Sequence, residues 1–136
     1  MTGTAYSWNP VIVTHALAAA AAVGLGGWLL CARKGHPAHR VGGWIWVLCM
    51  ALVAGISFAI RRPEGFSWIH GLSGFTLVSL VTGVVAARAH QVKWHRQNMI
   101  ALYVGALIIT GLFTLLPERL IGHALWDWLS LLLHRR

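Results

Sequence analysis

Four long apolar stretches run along this chain, parted by short polar segments. Each is long enough to cross roughly 30 Å of hydrocarbon at about 1.5 Å per residue. They predict helices over about 11–31, 44–60, 67–88 and 98–116, and nothing in them alternates as a membrane strand does. Asn9-Pro10 ahead of the first has the form of an N-cap followed by proline at the first helical position. Pro117 stops the fourth. Glycine, alanine and serine are frequent in all four, which suits close helix packing in lipid. Gly24, Gly27, Gly55, Gly71, Gly74, Gly83, Gly105 and Gly111 are examples.

Short connections make neighbouring helices antiparallel. The fold class expected is all-α: one domain over residues 1–136, an up-down-up-down transmembrane four-helix bundle. A fifth segment, about 120–133, is too short to span. His123, Asp127, Ser130 and His134 recur every three or four residues there and leave leucine and tryptophan on the other side. This pattern predicts a short amphipathic helix along the membrane interface.

Composition agrees: 57% of residues are hydrophobic and 10% charged, against roughly 25% charged in a soluble domain. Eleven basic residues face three acidic ones, a formal net charge of +8. A nucleic-acid partner would need a soluble basic face, so the excess is assigned to membrane lipids and topology. Arg33, Lys34 and Arg40 occupy the first connection and Arg88, Lys93 and Arg96 the third, while Glu64, Glu118 and Asp127 lie elsewhere. Basic loops stay in the cytoplasm, which directs both termini to the periplasm or exterior. The second connection, with Arg61 and Arg62, weighs against that orientation. The residues before Val11 hold no lysine or arginine, so the first stretch reads as a retained anchor rather than a cleaved signal. Tryptophans near the span ends (Trp8, Trp28, Trp44, Trp46, Trp68, Trp94) suit interfacial anchoring. Cys31 and Cys49 read as packing residues, not as a disulfide.

The chain repeats itself. His15 opens a stretch that closes on Ala32-Arg33, with His39-Arg40 after it. His70 opens another that closes on Ala87-Arg88, with His95-Arg96 after it. The histidine intervals are 24 and 25 residues, so two related helical hairpins are expected. Ionisable residues within spans mark functional sites. His15 and His70 fall on diagonal helices at similar expected depth, as axial ligands of a b-type haem would. Gly71 and Gly74 are candidates to leave room for the macrocycle. Thr14, Ser73 and Thr76 are candidate hydrogen-bond partners for the imidazoles. Arg61 or Arg62 would pair with propionates. His39 and His95 make a second diagonal pair, which a second haem would use, with Arg40 and Arg96 beside them. Such a protein would pass single electrons, with quinol as a candidate donor.

Three other readings stand beside that one. The histidines fasten helices by hydrogen bonds, for roughly 0.6–2 kcal/mol each. The protein is a non-catalytic subunit or assembly factor of a larger membrane complex, or a homo-oligomer. Or His15 and His70, with His123 close by, hold copper or zinc. His36, ahead of Pro37, and His90 read as loop residues. No nucleophile triad, phosphate loop or zinc-protease motif is present.

Several segments resemble a known family. They are His39-Arg40-x-Gly-Gly, His70-x-Leu-Ser, His95-Arg96-x-x-Met99 with Leu102-Tyr103-Val104-Gly105, and Gly111-Leu112-Phe113-Thr114-x-Leu116-Pro117-x-Arg119. The family is that of bacterial four-helix membrane proteins known only as a domain of unknown function, series two-three-zero-six. The resemblance runs from Val11 to Trp126 and implies an integral protein of the bacterial inner membrane. It implies no activity. Four-helix b-type cytochromes offer a looser analogy through histidine placement alone.

Overall fold

A computed structural model describes residues 9–60, 68–116 and 120–134. Arg61, Arg62, Trp8, Pro117 and Arg119 lie outside them. Four helices are long and apolar enough to cross a membrane: α1 (Pro10–Cys31), α2 (Pro37–Ser57), α3 (Trp68–Arg88) and α4 (Val92–Thr114). Helix α1 packs on α2, α2 on α3, α3 on α4, and α4 closes back on α1. That ring leaves α1 across from α3 and α2 across from α4. The C-terminal helix (Leu120–His134) packs on the end of α4. The fold is therefore all-α, as the periodicity requires.

Local chemistry explains most boundaries. Asn9 caps α1, its Oδ1 accepting from the Val11 N–H at 3.0 Å, and Pro10 fills the first position. The Lys34 ammonium donates to the Leu30 carbonyl at 2.5 Å, completing the other end of α1 where the helix dipole favours a cation. Helix α2 starts at Pro37, some seven residues before the expected 44, because proline suits the first helical position and His36 before it is extended, with ψ 150°. Helix α4 likewise starts at Val92 rather than near 98. Both His-Arg pairs thus lie in first turns of helices.

His90 ends α3 in a left-handed conformation, φ 59°. The Gln91 N–H reaches the Ala86 carbonyl at 2.9 Å and the His90 N–H reaches Ala87 at 3.2 Å. This is the Schellman closure, with histidine where glycine is usual. Gly35 supplies the left-handed residue in the other basic turn, φ 81°. Inside α4, Leu102–Ile109 is π-helical, a widened stretch that composition does not announce.

The core consists of Ala22, Leu29, Trp46, Met50, Leu80, Leu102 and Leu107. The Trp46 indole N–H crosses from α2 to the Ala22 carbonyl at 2.9 Å, and the Tyr103 hydroxyl crosses from α4 to Val23 at 3.2 Å. Gly26 is the reason these rings fit. A Cβ there would stand 2.6 Å from both the Trp46 Nε1 and the Tyr103 ring. Of the glycines expected to admit neighbours, Gly83 and Gly27 do, whereas Gly24, Gly55, Gly71, Gly74, Gly105 and Gly111 face open space; Gly26, Gly42 and Gly122, not singled out from the sequence, take the other close approaches. Gly122 rests on the Leu116 carbonyl, and the Trp126 indole donates to Leu115 at 3.3 Å. These contacts seat the C-terminal helix on the end of α4.

Candidate functional site

The four repeated histidines sit one per helix, and their surroundings differ. His70, 6% exposed, packs its ring on Phe58 with centroids 5.9 Å apart. His15 faces the backbone of Val53. The two therefore meet α2 five residues apart, about 7 Å along its axis. Counting from the span ends misses this, because it does not fix how far each helix is shifted along α2. A Cβ at Gly71 or Gly74 would meet nothing within 4 Å.

The hydroxyls expected beside these imidazoles bond elsewhere. Thr14 donates to Pro10 at 2.8 Å and Thr76 to Leu72 at 2.8 Å. Ser73 bonds to Ile69 at 3.1 Å and shares a 2.5 Å contact with Ser57. His123 pairs with Asp127 at 2.8 Å on the exposed C-terminal helix. Among the described residues no three His, Cys, Asp or Glu side chains converge, so His15, His70 and His123 do not form a ligand cluster here. Cys31 and Cys49 are free thiols.

The second pair is different. His39 of α2 and His95 of α4 come from diagonal helices at the basic end of the bundle, and His39 lies within electrostatic reach of both His95 and Lys34. His95 Nδ1 bonds the Gly83 carbonyl at 2.9 Å. A carbonyl can only accept, so this bond places the proton on Nδ1 and the lone pair on Nε2. His39 Nδ1 is buried without a hydrogen-bond partner, as is His15 Nδ1. A buried polar nitrogen left unmatched costs about 1–3 kcal/mol. Arg40 and Arg96 follow on the same first turns, both exposed at the basic rim.

A further set of buried polar residues lies on α3: Ser73, Thr76 and Ser79, following His70, with Ser73 against Ser57 of α2. Asn98 of α4 donates to the Ser79 carbonyl at 2.6 Å. Only Ser73 and Thr76 of this set drew notice in the sequence, and only as partners for histidine. The three-residue spacing from His70 to Ser79 is the signal that would have found the rest.

No family model matches the chain, and neither a curated protein nor a solved structure does. What the fold establishes is a multi-pass, all-α membrane protein with four candidate spans and a short apolar C-terminal helix.

Proposed function

We propose that this chain is a small b-type cytochrome-like protein that binds one haem at the basic end of its bundle and passes single electrons there. His39 and His95 are the axial ligands in this reading. The observation that carries it is their complementary preparation. One imidazole is oriented by a backbone carbonyl, leaving Nε2 to donate, and the other has a buried ring nitrogen with no partner in the protein. An imidazole fixed through its far nitrogen is how ligating histidines are held. Arg40 and Arg96, with Lys34 close by, supply the positive charge that propionates need. The different contacts of His15 and His70 on α2, at Val53 and at Phe58, favour this pair over that one.

The family with the same His-Arg and Gly-Leu-Phe-Thr segments is, on this reading, the chain's own. The basic end then faces the cytoplasm of a bacterial inner membrane, with both termini in the periplasm, and a quinone is a fitting electron partner.

Spectroscopy tests it. Protein expressed with ample haem and purified in detergent gives reduced-minus-oxidised bands of a low-spin b haem. His39→Ala and His95→Ala lose them, while His90→Ala keeps them. Colourless protein under those conditions overturns the proposal. It would favour a non-catalytic subunit, a reading supported by α1 and α4, whose spans are only 11% buried against 39% for α3. Their outward apolar faces suit lipid or a larger complex.

A further inference from the structure

We propose that the buried polar stripe of α3 is a proton pathway through the bundle, from His70 at one end to His95 at the basic end. The inference does not depend on haem.

The stripe has a geometry that packing alone does not require. His70, Ser73, Thr76 and Ser79 follow at intervals of three, and all four are buried. Three residues advance about 300° around a helix, so each step turns back by about 60° and rises about 4.5 Å. Over three steps the stripe winds half a turn around α3. It begins against α2, where Ser73 contacts Ser57 and His70 contacts Phe58. It ends against α4, where Asn98 bonds Ser79 and His95 bonds Gly83. From His70 to Gly83 the climb is about 20 Å, two thirds of the hydrocarbon thickness.

Neighbouring hydroxyls on such a path lie about 6 Å apart. That is the span of two hydrogen bonds through one water. The Ser57, Ser73 and Thr76 hydroxyls each reach a carbonyl of their own helix, yet each oxygen keeps lone pairs and each single O–H can rotate to another acceptor. Ser57 and Ser73 already share one hydrogen bond that either can donate.

His15 adds a second, independent observation. It faces Val53, four residues from Ser57 on α2. The same four residues counted from Ser73 along antiparallel α3 reach Leu77, next to Thr76. Counted this way, the half-buried His15, whose Nδ1 is unmatched, lies near the level of the middle hydroxyl of the stripe. Intramembrane histidines and hydroxyls in series are the material of proton relays. In each hop an oxygen or nitrogen takes a proton on one side and releases one on the other. One proton leaves the first aqueous phase and one enters the second, with no bond made to carbon and nothing oxidised.

The test uses the full chain in phosphatidylcholine vesicles containing a trapped pH-sensitive dye. A pH step is imposed with potassium and valinomycin present to carry the compensating charge. Wild-type vesicles equilibrate faster than protein-free ones. Thr76→Val and Ser73→Ala, which remove hydroxyls with little change in shape, lower the protein-dependent rate about tenfold each. Thr76→Ser restores it, and Val78→Thr on the exposed side of α3 leaves it unchanged. Vesicles no faster than protein-free ones overturn the proposal, and so does an unchanged rate in Ser73→Ala, a shrinking substitution that a folded bundle tolerates. Because the dye reads protons alone, a colourless protein that conducts refutes the haem reading and keeps this one.

Discussion

The two hairpins share a plan but exchange knob and hole. Trp28 and Gly83 are 55 positions apart, the interval between His15 and His70, and Gly42 and Asn98 are 56 apart, the interval between His39 and His95. In the first hairpin the bulk is on the leading helix. Trp28 lies over Gly42, where a Cβ would come within 2.7 Å of the ring. In the second the glycine leads, and Asn98 and Met99 lie over Gly83. The exchange keeps the volume at the contact but changes its chemistry. An indole covers the surface in one hairpin, while bare glycine leaves a carbonyl within reach of His95 in the other. His39, the counterpart of His95, has its Nδ1 buried without a partner. The two hairpins thus share the histidines, and the exchanged pair of residues gives them different surroundings.

The first hairpin is closed by aromatic packing, so the largest effect should come from emptying it. Trp46→Ala should cost about 3–5 kcal/mol, seen as a lower unfolding midpoint in detergent, because a buried ring leaves a void. Trp46→Phe keeps most of the volume and loses only the indole bond to Ala22, so it should cost about 1 kcal/mol. If both substitutions cost the same, the hydrogen bond and not the packing closes this hairpin.

Gly26→Ala comes next. Its Cβ would meet the rigid rings of Trp46 and Tyr103, and overpacking of this kind costs about 1–3 kcal/mol. Gly24→Ala, facing open space, should leave the midpoint within about 0.5 kcal/mol of wild type. Equal effects at the two positions would mean that α1 can turn about its axis.

The histidines give a sharper comparison in haem-free protein. His95→Ala removes a bond to Gly83 and should destabilise by about 1 kcal/mol. His39→Ala removes an unmatched nitrogen and should be neutral or stabilising. A larger loss at His39 than at His95 would break the asymmetry between the hairpins. The smallest effect should be at the turn. His90→Gly relieves a left-handed histidine and should raise stability by about 1 kcal/mol, read as a higher midpoint.

The interfacial pattern in the tail did foreshadow a helix, but not what seats it. Gly122 on the Leu116 carbonyl is a contact between segments that hydropathy treats separately. Helix starts were missed for a related reason. Polar His-Arg pairs and a Gly-Gly step resemble loop in a hydropathy profile, whereas proline at the first position of α2 extends the helix over them. The π-helical turn of α4 left no mark in composition, since its bonds depend on how Tyr103 and Leu107 are drawn toward the core.

What the residues fixed by themselves is the number of spans, their antiparallel order and the repeat, because these follow from apolar length, short connections and spacing along one chain. What only the assembled bundle decided is height and facing: that His15 meets α2 at Val53 and His70 at Phe58, that Gly26 and not Gly71 admits a neighbour, and that His95 finds a carbonyl while His39 does not. The reason is that axial offset between packed helices is set by interlocking side chains from different segments. A shift of one turn there moves every imidazole by about 5 Å, and no single helix encodes it.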